Sequence, residues 1–191
     1  MSKRTTALIL SAFRAAGVEH GAEDAPLPSR LLVAPLGEHD ARERGKIIVS
    51  TETLTGLAAR QAAVKIGPRV ALDFEHNTVP GTPAFSAESE PRRVAAWGVL
   101  KAVPGAGIYL ENLEWTPAGI EAFKGRSYQD ISPAVFRRED GTVLAVHSVG
   151  LVRHGEIEGL TLEAAAAPRP LAPFFAALSA YESPSSTESM Q

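Results

Sequence analysis

Residues 93–125, "RVAAWGVLKAVPGAGIYLENLEWTPAGIEAFKG", constrain the fold more than any other stretch of the chain. Two apolar-rich runs, 93–103 and 107–116, flank "PGAG" and read as a β-hairpin. The second run passes directly into a helix whose punctuation is visible. Thr116 is placed to cap it, Pro117 takes the first helical position, and Gly125 stands just past the end. A long hairpin feeding a short capped helix leaves little room for an all-helical or a repeat architecture.

Further strands follow from the same signals. "LLVAPLG" (31–37) reads as a short strand with Pro35 near an edge, and "GKIIVS" (45–50) as another. Ser50 or Thr51 then caps "TETLTGLAARQAAVK", whose Leu54, Leu57, Ala58 and Gln61/Ala62 share one helical face. "PRVALDFEHN" is a strand mixing apolar and acidic residues. "YQDISPAVFRR" and "TVLAVHSVGLV" are strands joined by the turn "REDG". Between them, "NTVPGTPAFSAESEPR" (77–92) reads as a loop with three prolines. "HGEIEGLTLEAAAAPRP" is ambiguous, and "LAPFFAALSAY" fits a short helix. The expected fold is α+β: about seven strands in a mostly antiparallel β-barrel or strongly curved sheet, with a few helices packed outside. The expected organisation is an N-terminal segment (1–30), one domain (31–180) and a disordered tail (181–191).

Composition narrows the function. The chain has 191 residues, 45% of them apolar, and a net charge of −3, so neither nucleic acid nor an acidic membrane is an expected partner. It has no cysteine, which removes disulfides, thiol catalysis and cysteine-based metal sites. The apolar run near the N-terminus is short and broken by Arg14, unlike a signal peptide. No run approaches the roughly 20 apolar residues of a membrane span.

The chemistry-bearing residues lie on apolar strands. In "RVALDFEH", His76 has the parity of Val70, Leu72 and Phe74, so a regular strand would continue its apolar face into the histidine. In "YQDISPAVF", Ser132 has the parity of Ala134 and Phe136, and Pro133 beside it removes a ladder donor, as at an edge or bulge. In "TVLAVHSVGLV", His147 shares parity with Val143, Ala145, Val149 and Leu151, on a strand apolar on both faces. Burial disfavours imidazolium and leaves a neutral base, and a serine hydroxyl needs such a base to become a nucleophile. A third group then fixes the base's tautomer and orientation. Ser132, His76 and His147 supply these three parts if they meet. Bland roles compete: a small strand serine, a core histidine bonded to a carbonyl. Asp73, Glu75 and His76 form a weaker metal-ligand set, because the acids project opposite to His76 on a regular strand and no H-x-H or H-E-x-x-H spacing is present.

"LDFEHN", the run from "WGVL" through "GIYLENLEWTPAG", "YQDISPAVF" and "HSVGLV", in that order, resemble the head-maturation protease (I protein) family of Mu-like phages over roughly residues 30–165. More distantly they are similar to prohead proteases of other tailed phages and to herpesvirus assemblins. The resemblance implies a serine endopeptidase that cuts scaffold, and itself, inside the immature capsid in the host cytoplasm. Its partners would be the scaffold and capsid protein of the prohead and, as in assemblins, a second copy of the chain. By the same resemblance Ser132 matches the nucleophile and His76 the general base. His147 stands where assemblins have a second histidine, with His154, Asp130 and Asp73 as rivals. Arg153 and His154 mark the oxyanion-stabilising region. No cofactor or metal is expected. Two other functions remain: a non-catalytic scaffold or assembly module of the same fold, and a metal-dependent hydrolase centred on Asp73, Glu75 and His76.

Overall fold

The hairpin foreseen at 93–116 is the middle of the molecule. In the computed structural model, which describes residues 8–10, 26–41, 45–87 and 91–153, β6 (Val94–Val103) and β7 (Gly107–Trp115) pair antiparallel. The following helix, α3 (Pro117–Lys124), is capped by Thr116, whose hydroxyl accepts from the Gly119 N–H at 3.1 Å. The same hydroxyl donates to the Val94 carbonyl at 2.8 Å and so ties the helix start to β6. Gly119 is required for that docking. A Cβ there would lie 2.0 Å from the Ala95 carbonyl oxygen, nearer than any side chain can approach.

The other elements are β1 (Leu8–Leu10), β2 (Arg30–Pro35), β3 (Gly37–Asp40), β4 (Lys46–Val49), α1 (Thr51–Ala63), β5 (Arg69–Phe74), α2 (Pro83–Ala87), β8 (Asp130–Arg137) and β9 (Val143–Val152). One seven-stranded sheet runs β1-β8-β9-β5-β6-β7-β2, and β3 pairs with β4 separately. The large sheet curls into a half-barrel, with the three helices set around it. The expected α+β architecture, with its curved and mostly antiparallel sheet, is therefore the observed one. The exception in direction is central: β5 and β9 pair parallel, from Leu72↔Val149 to Phe74↔Leu151. The short strand β1, within the stretch read as an N-terminal segment, pairs with β8 from Leu8↔Phe136 to Leu10↔Ala134. The loop expected at 77–92 contains α2. The segments after Arg153, including "LAPFFAALSAY" and the tail, lie outside the described residues. Among the described residues no helix is long and apolar enough to cross a membrane.

Among the described residues one hydrophobic core joins the large sheet to β4 and α1. Leu31, Val33, Val70, Leu72, Phe74, Leu100, Ile108, Leu110, Ile131, Val135, Val149 and Leu151 from the sheet meet Ile47 and Val49 of β4 and Leu54 and Leu57 of α1. Helix α1 starts with a capping box, Ser50 accepting from the Thr53 N–H at 3.1 Å and Thr53 Oγ1 accepting from the Ser50 N–H at 3.2 Å. Each cap of this kind contributes about 1 kcal/mol. One polar side chain on its buried face has a specific task. Gln61 accepts from the Val146 N–H at 2.7 Å and donates to the Val146 carbonyl at 3.0 Å. The amide thus takes the place of a neighbouring strand along β9 just before the parallel pairing with β5 begins.

Candidate active site

Three adjacent strands, β5, β9 and β8, set Asp73, Gly150 and Ser132 abreast, since Asp73 pairs with Gly150 and Gly150 with Ser132. Register partners point to the same face. That face also receives Ser148 and Asp130, each two residues from a member of the row. The next row, Phe74, Leu151 and Ile131, points the other way into the hydrocarbon core. Asp73, Ser148, Ser132 and Asp130 are all buried.

The parity expectation for His76 does not hold, and the reason is local. The strand ends at Phe74, and Glu75 (φ +51°) and His76 (φ +61°) both adopt left-handed backbone. This conformation is uncommon for residues with a Cβ and costs on the order of 1 kcal/mol or more per residue unless the surroundings impose it. Here they do. The Glu75 N–H donates to the Leu151 carbonyl at 2.9 Å, the Asn77 N–H to the Phe74 carbonyl at 2.9 Å, and the His76 N–H to Asp73 Oδ1 at 3.2 Å. The His76 carbonyl accepts from the Val79 N–H and from Thr82 Oγ1, both at 2.9 Å. Asn77 Nδ2 donates to the Arg93 carbonyl at 2.8 Å.

The double left-handed turn swings His76 off the core face and onto the row of Asp73 and Ser132. Its imidazole lies against Gly150. A Cβ at that glycine would stand 2.8 Å from His76 Cε1 and 3.0 Å from each ring nitrogen. Directly opposed residues of an antiparallel pair have Cβ atoms about 5 Å apart, so Ser132 lies beside the spot the imidazole occupies. Ser132 and His76 thus both neighbour Gly150 on the same buried face.

His147 is placed differently. Ala134 pairs with Ser148 but Val135 with Val146, so His147 is the extra residue of a β-bulge, which breaks the parity expected along β9. It is half-buried, and burial pushes its imidazole below the usual histidine range. Its Nδ1 lies 3.2 Å from Ser148 Oγ, and its ring is 6.5 Å from that of Phe136. Ser148 in turn hydrogen-bonds the Asp73 carboxylate, which also accepts from the Thr78 hydroxyl and the His76 N–H. The route from His147 to the His76 turn therefore runs through Ser148 and Asp73. Burial raises Asp73 to about 6, and the hydrogen bonds from Thr78, Ser148 and the His76 backbone oppose that rise.

Arg153 is exposed, its N–H donating to Glu75 Oε1 at 3.2 Å and its guanidinium lying 5.9 Å from the Tyr128 ring centroid. His154 lies outside the described residues. Asp130 is buried and pairs with Val152. Among the described residues no group of three or more His, Asp or Glu side chains is arranged to hold a metal ion. Asp73 is engaged with the turn, and Glu75 with Arg153. Gly150 was not singled out from the sequence, although a glycine inside a buried strand is a signal of close approach. Ser148 and Thr78 carried no signal of their own.

A buried imidazole beside a serine hydroxyl is the minimum for general-base activation of an oxygen nucleophile. The family model described as Mu-like prophage I protein, N-terminal domain, matches residues 31–163, well over half of the chain. The chain belongs to this family of phage-related proteins. No curated protein and no solved structure matches it.

Proposed function

We propose that this protein is a serine endopeptidase of phage head maturation, cutting scaffold and its own chain within the immature capsid. The observation that carries the reading is the imidazole of His76 held against Gly150, abreast of Ser132. Ser132 Oγ attacks the scissile carbonyl, and His76 takes its proton and returns it to the leaving amine. His147 is the third member of the set. In this reading Arg153 and His154 belong to the oxyanion-stabilising region, a role carried over from the family resemblance. The substrates are scaffold and capsid protein of the prohead, met in the host cytoplasm, with a second copy of the chain as a further partner.

One observation favours a second reading, a non-catalytic assembly module. Ser132 is 3% and His76 5% exposed, so a substrate carbonyl reaches Oγ only when covering groups move aside. Co-expression with the scaffold protein separates the two. The protease reading expects intact-mass analysis to show truncated scaffold with the wild-type chain and full-length scaffold with Ser132→Ala. Full-length scaffold in both would leave only the assembly module.

A further inference from the structure

Asp73 is a buried carboxylate that the serine–histidine chemistry leaves without a task. We propose that Asp73 is a positioning residue whose carboxylate clamps the left-handed turn carrying His76 and, through Ser148, links His147 to that turn. The inference rests on the protease reading for its kinetic consequence, but its geometry stands apart from it. One carboxylate oxygen accepts the His76 N–H, and the other accepts the Thr78 hydroxyl from the far side of the same turn. The two bonds brace the turn on the C-terminal side of Glu75 and His76, whose left-handed backbone is one that residues with a Cβ avoid. On its other flank the carboxylate receives Ser148, the neighbour and hydrogen-bond partner of His147.

This arrangement differs from one in which an acid bonds the imidazole directly. Asp73 reaches His76 through the backbone N–H, so what the site needs from it is an acceptor in the right place. Its charge is secondary. The ionisable groups on the elements packed around it are His147 on β9, Asp130 on β8, Glu75 and His76 on the turn, and Arg93 before β6. Burial and hydrogen bonds set the protonation of Asp73, with no charged neighbour contributing. Asparagine, of the same size, keeps an acceptor for the His76 N–H and meets Thr78 and Ser148 with groups their hydroxyls can turn to face.

The test uses the full chain and the variants Asp73→Ala, Asp73→Asn, Ser148→Ala, His147→Ala and the Ser148→Ala/His147→Ala pair, read by peptide hydrolysis and by the NMR signal of His76 Cε1–H. Asp73→Ala is expected to lower kcat by about 100-fold, the scale of a misplaced catalytic group, with little change in KM and a displaced His76 signal. Asp73→Asn is expected to restore most of kcat and the wild-type signal. Ser148→Ala is expected to lower kcat, and adding His147→Ala to it to cost nothing further. An undisturbed His76 signal in Asp73→Ala would overturn the clamp. So would an Asp73→Asn enzyme as slow as Asp73→Ala with His76 in place, because charge would then be what matters. Full additivity of the Ser148 and His147 losses would overturn the link. If the wild-type chain hydrolyses no peptide, the protease reading fails, and the His76 signal alone still decides for or against the clamp.

Discussion

Two neighbouring rows of the same three strands do opposite things. Phe74, Leu151 and Ile131 lie abreast and join one hydrocarbon core; one residue back, Asp73, Gly150 and Ser132 lie abreast and share a buried polar face. The first row stabilises the fold, each large side chain contributing on the order of 2 kcal/mol by leaving water. The second works against it. It buries a carboxylate whose ionisation is opposed by its surroundings, and it is roofed by two consecutive left-handed residues. A sheet kept only for architecture gains nothing from such a face, which is why the polar row is the place to look for function.

Substitutions can break or sharpen this contrast. Leu151→Ala, in the core row, is expected to cost about 2–5 kcal/mol of stability, visible as a lower denaturation midpoint, while the molecules that remain folded keep their activity. Asp73→Asn is expected to act in the other direction. Below pH 4 the wild-type carboxyl is protonated in both folded and unfolded states. Between the ordinary value of 3.8 and the folded value of about 6 the folded state holds a proton that the unfolded state releases, so wild-type stability falls as pH rises through that window. The asparagine variant lacks this loss. Above pH 6 it should exceed the wild type by up to about 3 kcal/mol, and the two should converge near pH 4 in denaturation midpoints. A variant that is less stable than wild type at pH 7 would mean that the polar face supports the fold.

Gly150→Ala tests the meeting point. The added methyl would sit within 3.0 Å of the His76 ring, and the ring must move. The expected result is about a 100-fold loss of peptide hydrolysis with a small change in melting temperature; unaltered hydrolysis would place the chemistry elsewhere. The smallest effect is expected at Gln61→Ala. It leaves both backbone groups of Val146 without their side-chain partner, at a cost of about 1–3 kcal/mol. Activity should fall only as far as the bulge at His147 shifts.

How much of this was legible in the sequence varies with the kind of signal. The β6–β7 hairpin and α3 were readable because Thr116, Pro117 and Gly125 are local punctuation whose meaning does not depend on the rest of the chain. The turn after β5 was not. Nothing in Glu75 and His76 announces left-handed backbone; bonds from Leu151, Asp73 and Thr82 impose it, and those partners are set by tertiary structure. Parity therefore pointed His76 to the wrong face, and it failed again at His147, where a bulge inserts one residue. The parallel pairing of β5 with β9 joins strands some 75 residues apart and leaves no local trace. Ser132 and His76 were named from residue type and from a family resemblance that the match over residues 31–163 supports. Gly150, against which the His76 ring rests, passed as an ordinary strand glycine.

The proposed protease activity turns on whether the Ser132 hydroxyl is activated by the imidazole resting on Gly150. A fluorophosphonate probe, followed by peptide mass mapping, measures that directly. Stoichiometric adduct on Ser132 in the wild-type chain, lost in folded His76→Ala, is the predicted result. Absence of any adduct on Ser132, or equal labelling with and without His76, would contradict it.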